Sequence, residues 1–214
     1  MYVPHFNALD DEPTIRAMVA EIGSAQLVTT GPDGYPLATL LPVVWRGDTV
    51  IAHFARANEH WKSIGEGQPA LLVVTGPQAY ISPSWYAAKA EHGRVVPTWN
   101  YSVVQLTGRA TVHDDVEWLQ GALDELVEHH EGHRDAPWRR TDAPERYISG
   151  QLRAIVGLEF AVERVEAKAK LSQNRSDADR AGVVAGLEAE ESRDAHAVAE
   201  QMRTGRVAGQ RVDR

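Results

Sequence analysis

The chain has 214 residues, of which 43% are hydrophobic and 24% are charged, and its net charge at pH 7 is −8. This composition is ordinary for a globular protein with a sizeable core, and the negative charge argues against the broad basic surface of direct DNA-binding proteins. The lack of cysteine excludes disulfides, thiolate catalysis and cysteine-ligated metals. Because the chain shows neither a basic leader nor an apolar run approaching 18 residues, we expect a cytoplasmic protein with no membrane segment.

The first third of the chain predicts one helix followed by hairpin strands. Apolar residues at helical spacing place a helix from Asp10 or Asp11 to Gly23. Short polar turns rich in glycine separate the alternating segments that follow, which is typical of antiparallel hairpins. The predicted elements are strands at 25–30, 36–45 and 49–54, a helix at 58–66 capped by Asn58, and two short strands at 70–75 and 79–81.

The rest of the chain predicts two long strands and several helices. The predicted elements are a strand at 101–112, helices at 114–130 and 144–152, and a strand at 154–170. From Ser176 the composition shifts to Ala, Glu and Arg, which predicts an exposed helix at 177–202 and a frayed last dozen residues. We therefore predict a domain at 1–175 and a helical, partly exposed tail at 176–214.

The order of these elements favours a mainly β protein, an antiparallel barrel with peripheral helices. There is no alternation of strands and crossover helices, and neither a P-loop nor a Gly-x-Gly-x-x-Gly motif occurs. Rossmann and TIM architectures are therefore excluded.

Residues 50–62 have the pattern of an anion-binding site. An apolar strand is followed at once by a basic residue and by the predicted helix N-terminus, whose free N–H groups and dipole favour negative charge. Basic groups suit a phosphate and the aromatic rings suit a flat ligand, which together suggest flavin mononucleotide (FMN). The alternative is a solvated corner with a buried Trp61. The basic and aromatic residues concerned are His53, Phe54, Arg56, His60, Trp61 and Lys62.

Three other segments carry groups suited to a ligand. The stretches 80–86 and 96–101 are rich in Trp, Tyr and Pro, which could form the wall of a planar cofactor site or a core or interface cluster. The segment 170–175 is rich in amide and cationic donors, for a phosphate or a flavin edge, or else it is a polar connection before the cap Ser176.

The histidine-rich segment 129–133 offers a weaker signal for a metal site. His129 and His133 are four residues apart and could share a helical face, but basic residues at a helix end also complement the dipole. We predict no metal. A nucleophilic hydrolase is also disfavoured, since no Gly-x-Ser-x-Gly motif is present.

Six segments of the chain resemble motifs of the PaiB-type FMN-binding family. That family is part of the FMN-binding split-barrel superfamily, which also contains pyridoxamine-phosphate oxidases. The segments occur in the family's order and spacing over residues 1–175, and no motif covers the chain after about residue 180. They are Met1–Phe6, Ala38–Pro42, His53–Trp61, Tyr80–Tyr86, Val96–Tyr101 and Lys170–Arg175.

The resemblance implies a homodimer of split barrels with FMN in the cleft between the subunits. It also implies which residues contact the cofactor: a strand along the flavin ring, a phosphate-side strand and helix start, a further strand facing the flavin, and a late segment that the partner subunit could supply. In that order they are Thr39, Leu40, Leu41 and Pro42; His53, Phe54, Ala55, Arg56, Asn58, His60, Trp61 and Lys62; Trp99, Asn100 and Tyr101; and Lys170, Gln173, Asn174 and Arg175.

The function beyond FMN binding has two interpretations. The family is described as one of negative transcriptional regulators, but this chain has no helix-turn-helix pattern, so direct DNA binding is doubtful. The alternative is a small FMN-dependent oxidoreductase of unknown substrate. The sequence identifies no catalytic residue.

Overall fold

Six strands form one antiparallel sheet in the computed structural model, which describes residues 1–209. The sheet closes on itself in the order β1-β2-β3-β6-β5-β4. The strands are β1 Ser24–Thr30, β2 Pro36–Arg46, β3 Thr49–Ala55, β4 Gln68–Ile81, β5 Thr98–His113 and β6 Ile155–Lys170. The predicted antiparallel barrel is confirmed.

The two predicted hairpins at the start of the sheet are also confirmed. β1 and β2 pair from Ser24 opposite Pro42 to Thr30 opposite Pro36. The turn between them includes Gly34 at φ 83°, a left-handed conformation that glycine adopts without a steric cost. The turn from β2 to β3 likewise includes Gly47 at φ 52°.

Within residues 1–209, six α-helices accompany the sheet. They are α1 Glu12–Ile22, α2 Ala88–His92, α3 Val116–Glu131, α4 Glu145–Leu152, α5 Asp177–Glu188 and α6 Arg193–Thr204. The predicted helices at the positions of α1, α3 and α4 are confirmed, and α2 is a helix that the sequence pattern did not predict. Side-chain caps fix several starts: Asp115 accepts from Trp118 N at α3, and Ser176 from Asp179 N at α5.

The predicted helix at 58–66 is wrong in type and length. The structure has a 3-10 helix at Glu59–Ser63, with the predicted cap Asn58 accepting a hydrogen bond from His60 N. Ile64 is already extended and Gly67 has a φ of 60°, so the chain turns into β4 before an α-helix can form. A full helix dipole is therefore not available to an anion here.

The break predicted between two strands at 70–75 and 79–81 is also wrong, because β4 continues through Gly76-Pro77. Gly76 is required by a close approach rather than by a turn. A Cβ at this position would overlap the hydroxyl of Ser102.

The single exposed helix predicted at 177–202 is wrong as well. Two helices, α5 and α6, replace it, and Ser192 caps the second. Their inner faces are buried, including Val183, Leu187, Val198 and Met202. The last dozen residues were predicted to be frayed, but residues 203–204 complete α6 and Gly209 N donates to Glu21. Residues 210–214 of that stretch lie outside the described part of the chain.

Two glycines on one face of α5 explain why this helix packs so closely against Trp85. A Cβ at Gly182 would overlap the carbonyl oxygen of Trp85, and a Cβ at Gly186 would overlap the indole ring of the same residue. The two glycines, four residues apart, form a notch on one helical face that receives Trp85.

The chain divides into two compact units. The first unit comprises residues 1–22, 74–104 and 166–209, and the second comprises residues 23–73 and 105–165. The first has a core around Met18, Ile81 and Val198, and the second around Leu27, Phe54 and Phe160. The predicted domain boundary at residue 175 falls inside the first unit and stays a prediction.

In the second unit, Trp118 attaches α3 to the sheet. Its indole stacks on the His113 ring, with 4.2 Å between the ring centroids and 5° between the planes. On β6, a Cβ at Gly157 would overlap the same indole. Residue 157 must therefore be glycine for α3 to lie this close.

Within residues 1–209, no helix has the length and apolar character needed to cross a membrane.

Candidate functional site

The residues predicted to contact FMN fall into two sets, one in each unit. Thr39–Pro42 and the residues of 53–62 belong to the second unit, whereas Trp99–Tyr101 and Lys170–Arg175 belong to the first.

A chain of hydrogen bonds in the second unit joins β1, β2 and the 3-10 helix. The ring of His60 lies between two hydroxyls, with 2.8 Å from Nε2 to Thr29 Oγ1 and 2.8 Å from Nδ1 to Thr39 Oγ1. Asn58 Nδ2 donates to Thr39 Oγ1 at 3.3 Å, and Asn58 Oδ1 accepts from His60 N at 3.0 Å.

One assignment of protons satisfies all of these contacts. The cap orients the Asn58 amide, so its NH₂ group donates to Thr39. We assign the His60 proton to Nε2, from which it donates to Thr29, and the Thr39 hydroxyl then donates to His60 Nδ1. In this assignment the Thr39 hydroxyl keeps one lone pair, so towards a ligand it is an acceptor of a hydrogen bond.

Burial favours the neutral form of this imidazole. His60 is buried, and its pKa is lowered by desolvation. Its ring meets the Phe54 ring edge to face, with 5.7 Å between centroids. Phe54 itself is fully buried and acts as a core residue that supports the imidazole.

A cavity of about 650 Å³ opens beside this chain of hydrogen bonds, a size suited to a small-molecule ligand. Its lining combines apolar groups of the β1–β2 turn and β2 with polar groups of the 3-10 helix. The lining residues are Pro32, Asp33, Leu37, Ala38, Thr39, Asn58, Glu59, His60, Lys62 and Ser63. Lys62 is a cation of this lining, and its Nζ lies 2.8 Å from both carboxylate oxygens of Glu59.

Arg56 does not line this cavity, and its guanidinium already has several partners. Nε donates to Arg153 O at 2.8 Å and Nη2 to Ile155 O at 2.9 Å. Asp114 accepts from both terminal nitrogens of the guanidinium, and this hydrogen bonding raises the pKa of Arg56 and lowers that of Asp114. The structure thus gives Arg56 the role of joining β3 to the start of β6.

The remaining predicted contacts of the second unit differ in accessibility. Leu41 is buried in the core, whereas Leu40 is exposed. Trp61, expected to be buried if this segment is a solvated corner, is half-buried, and its Nε1 donates to Arg56 O at 3.0 Å. His53 Nδ1 is buried with no hydrogen-bond partner among the described residues, and burial lowers the pKa of this histidine.

A second cavity, of about 430 Å³, lies in the first unit. Several predicted contacts line it, together with residues of the N-terminal segment and of 96–98. The lining residues are Tyr2, Pro4, Phe6, Asn7, Tyr86, Val96, Pro97, Thr98, Tyr101, Lys168, Lys170, Ser172, Asn174 and Arg175.

Three of the predicted contacts in this unit form hydrogen bonds within the protein. Asn100 is fully buried and donates to Ser172 Oγ at 3.0 Å. Gln173 binds its own loop, accepting from Leu171 N and donating to Ala169 O. Trp99 lies outside the 430 Å³ cavity, where its Nε1 donates to Gln78 Oε1 at 3.0 Å.

Sequence reasoning missed several residues of these sites, and some of them had a detectable signal. Lys168 lies two residues before the predicted contact Lys170 on β6, the spacing of side chains on one face of a strand. Thr29 lies on β1, which pairs with β2, the strand of Thr39, and this pairing could have indicated it. Asp114 is remote in sequence from Arg56, and no local pattern indicates that pair.

Among residues 1–209, no three His, Asp or Glu side chains are grouped as a metal site would require. In the histidine-rich segment at the end of α3, the neighbouring rings of His129 and His130 have centroids 4.8 Å apart.

Comparison with known proteins identifies the family of the chain. Residues 1–164 match the family described as "Putative FMN-binding domain". The chain belongs to this family. It is 34% identical over 206 residues to Protease synthase and sporulation protein PAI 2 of Bacillus subtilis, which covers 94% of this chain and 96% of that protein. The resemblance to the PaiB type is therefore confirmed, and FMN is the cofactor that the family assigns to the chain.

More distant relatives share part of the sequence or the fold. An uncharacterised protein of Aspergillus fumigatus is 37% identical over 134 residues, which is 55% of this chain and 51% of the fungal protein. The FAD and heme binding protein of Mycobacterium smegmatis superposes with a TM-score of 0.58 at 18% identity, over 82% of this chain and 79% of that one. The flavocytochrome Anf3 of Azotobacter vinelandii superposes with a TM-score of 0.56 at 20% identity, over 79% of this chain and 72% of that one. These two structures show that the fold is shared.

Several groups of the second-unit cavity suit FMN, and the carboxylates of Asp33 and Glu59 are part of the same lining. Apolar atoms of Leu37 and Ala38 offer a surface for a flat ring, Thr39 offers a hydrogen-bond acceptor, and Lys62 offers a cation for a phosphate. All of these residues lie within the family match.

Proposed function

We propose that this chain is a regulatory flavoprotein of the PaiB type that binds FMN in the second-unit cavity and acts as a homodimer. The observation that carries the proposal is the cavity lined by Thr39, Asn58, His60 and Lys62, inside the stretch that matches the FMN-binding family.

Each of these residues has a defined part in holding the cofactor. FMN supplies hydride- and electron-transfer chemistry when bound. Asn58 and His60 hold the Thr39 hydroxyl in one orientation, so it is preorganised as an acceptor for a ring N–H. Lys62 provides the positive charge for the phosphate, by exchanging its exposed pairing with Glu59.

The exposed face of β2 supports the homodimer. Between residues 36 and 42 the exposed residues of β2 alternate with less exposed ones and are all apolar, unlike the polar outer face of most antiparallel strands. They are Pro36, Ala38, Leu40 and Pro42. A second copy of the chain would cover this strip, as the resemblance implies.

A regulatory role without direct DNA contact is the interpretation that we favour. The name of the Bacillus subtilis relative refers to protease synthesis and sporulation, which supports regulation. The net charge is −8, α5 has three acidic residues and one arginine, and α6 has two acidic residues and two arginines, so neither helix provides the basic recognition surface of a DNA-binding protein. The proposed regulation runs through a protein partner or a small molecule in the cytoplasm, where we expect the protein. A mobility-shift titration checks it; a tight, specific DNA complex would overturn it.

A small FMN-dependent oxidoreductase is the second candidate, favoured by the additional cavity of about 430 Å³, which could take a substrate. Anaerobic reduction of the bound flavin by NAD(P)H, followed by reoxidation in air, would favour the enzyme. A flavin that NAD(P)H leaves oxidised would favour the regulator.

The proposed site is tested by comparing FMN with riboflavin, which lacks the phosphate. We expect wild-type protein to bind FMN more tightly, and Lys62→Gln to remove most of that preference because the phosphate loses its cation. Lys89→Gln is the matched control, since Lys89 Nζ donates to Ser84 Oγ in the first unit and Lys89 is not one of the residues that line this cavity. An unchanged FMN preference in Lys62→Gln would refute the assignment.

A further inference from the structure

We propose that the 430 Å³ cavity of the first unit binds a second ligand besides FMN: a small organic anion, a carboxylate or phosphate attached to a flat ring. This departs from the flavin contact that the family resemblance implies for Lys170 and Arg175.

Among the described residues, three cations line the cavity and no carboxylate does. Lys168 and Lys170 lie on the same face of β6, and Arg175 follows in the connection to α5. The Asp and Glu residues of the described chain are all absent from the lining. Three like charges gathered without an anion form a site that a negatively charged ligand would complete.

The contacts of these cations leave their charge uncompensated. Lys168 Nζ donates to Tyr2 O at 3.1 Å and lies 4.9 Å from the centre of the Tyr101 ring. Lys170 Nζ donates to Thr98 Oγ1 at 2.7 Å and to Trp99 O at 2.6 Å. All of these partners are neutral. Burial, and then the charges of Arg175 and Lys168, lower the pKa of Lys170, and a bound anion would relieve that repulsion.

The other part of the lining favours a flat ring. Aromatic side chains of Tyr2, Phe6, Tyr86 and Tyr101 form much of the wall, and Pro4 and Pro97 add rigid apolar surface. The guanidinium of Arg175 lies 4.8 Å from the centre of the Tyr86 ring. A ligand with an anionic end and an aromatic body would therefore match both kinds of surface.

One polar atom of the wall lacks a partner. Tyr86 is 3% exposed, and its hydroxyl has no hydrogen bond within the described part of the chain. A buried hydroxyl without a partner costs free energy, so an acceptor on the ligand would satisfy a group that the protein leaves unpaired.

The loop that carries Arg175, the third cation, is held in one conformation by hydrogen bonds within the protein. Ser172 has a φ of 59°, which non-glycine residues rarely adopt, and its side chain is hydrogen-bonded to the buried Asn100. Gln173 ties the same loop to Leu171 N and Ala169 O. Asn174 and Arg175 are thus presented to the cavity by a preorganised segment, which lowers the entropic cost of binding.

The experiment uses the FMN-saturated full chain and measures binding by calorimetry. The probes are phenyl phosphate and benzoate, with uncharged benzyl alcohol as the matched control. We expect both anions to bind at least about tenfold more tightly than benzyl alcohol, and Arg175→Gln to weaken the anions about tenfold or more because a charge-assisted hydrogen bond is lost. Arg203→Gln, which removes the same charge from an exposed ion pair on α6, should change neither.

A readout of FMN affinity separates this inference from the proposed function. We expect Arg175→Gln to bind FMN as the wild type does, and Lys62→Gln to lose FMN preference while still binding phenyl phosphate. Equal affinity for the anions and benzyl alcohol would overturn the inference. So would a matching loss of FMN affinity in Arg175→Gln, or displacement of phenyl phosphate by excess FMN, because either result would make the cavity part of the flavin site. Lys170→Gln repeats the test at the second cation and keeps a hydrogen-bond donor for Thr98.

Discussion

Arg56 forms a two-point hydrogen-bonded ion pair with Asp114, which binds the residue after β3 to the residue after β5. The sequence suggests Arg56 as a phosphate ligand, but the structure gives its guanidinium a structural set of partners that also includes two backbone carbonyls. These partners favour a structural role for Arg56 over the phosphate contact, and the phosphate contact stays a prediction that the following variants test.

Variants of this pair distinguish the two roles. Arg56→Ala and Asp114→Ala should both lower the urea midpoint of unfolding, and Arg56→Ala should lower it more because two carbonyl oxygens also lose their donor. FMN affinity should change little in either variant, as measured by fluorescence quenching. A large loss of affinity in Arg56→Ala alone would mean that the guanidinium exchanges Asp114 for the phosphate.

Removing the Thr39 hydroxyl tests the chain of hydrogen bonds around His60. Thr39→Val keeps the shape of the side chain but leaves His60 Nδ1 without its donor, so we expect about 1–3 kcal/mol of lost stability. FMN affinity should fall as well. Thr30→Val, at an exposed position of β1, is the control and should change neither quantity. Unchanged stability in Thr39→Val would show that this hydrogen bond makes no net contribution to the free energy of unfolding.

The notch in α5 predicts opposite effects for two glycine-to-alanine changes. Gly186→Ala should destabilise the protein by about 1–3 kcal/mol, because the new methyl group overlaps the Trp85 ring. Gly121→Ala in α3 meets no atom within 4 Å and should stabilise by about 1 kcal/mol through helix propensity. Chemical unfolding of both variants measures the difference. If both changes stabilise, α5 does not pack on Trp85.

Stability should fall as the pH drops from about 7.5 to 5.5. Desolvation lowers the pKa of His53 and His60 below the ordinary value of about 6.5. The unfolded chain therefore binds protons in this range that the folded protein does not, and protonation favours unfolding. Carboxylates with lowered pKa values, such as Asp114, titrate only at lower pH in the unfolded chain. Urea midpoints at several pH values measure the slope, which should be shallower in His53→Gln; a flat profile would contradict this.

A charge in the apolar strip of β2 tests the proposed dimer. Leu40 is 61% exposed, so Leu40→Glu should leave the fold intact but place a carboxylate in the interface. Light scattering should give a dimer for the wild type and a 23.6 kDa species for the variant. Val116→Glu changes another exposed apolar residue, on α3, and should remain dimeric. A monomeric wild type would remove the dimer from the proposal.

Local patterns were sufficient to predict most of the fold. Alternation of apolar and polar residues, with glycine turns at Gly34 and Gly47, located β1 to β3 correctly. The errors arose where tertiary packing overrides local preference. Gly76-Pro77 has the composition of a turn yet continues β4, because glycine there admits the Ser102 hydroxyl. The small residues of α5 resemble a solvated helix, and only the position of Trp85 shows that two glycines are needed for packing.

The candidate site was predictable in part for a related reason. Contacts close in sequence, such as the Asn58 cap on His60, follow from the local motif. The pairing of Arg56 with Asp114 spans 58 residues, and the cavity around Lys168 draws on residues from Tyr2 to Arg175. Groups brought together over such separations have no local signature, so the structure is needed to find them.

The closed order of the sheet also bears on how two copies could associate. A strand with an unpaired side can recruit another chain by extending the ladder of backbone hydrogen bonds, which is a common route to aggregation. Every strand of β1-β2-β3-β6-β5-β4 has two neighbours, but the described pairing joins β2 to β1 over residues 36–42 and to β3 over residues 43–46. The segment that carries the apolar strip is therefore paired through one of its two sides, and Pro36 and Pro42, which have no amide N–H, limit further pairing to the stretch between them. Slower amide exchange at residues 37–41 in the dimer than in monomeric Leu40→Glu would show that backbone pairing joins the two copies, whereas equal exchange would show that side chains alone do.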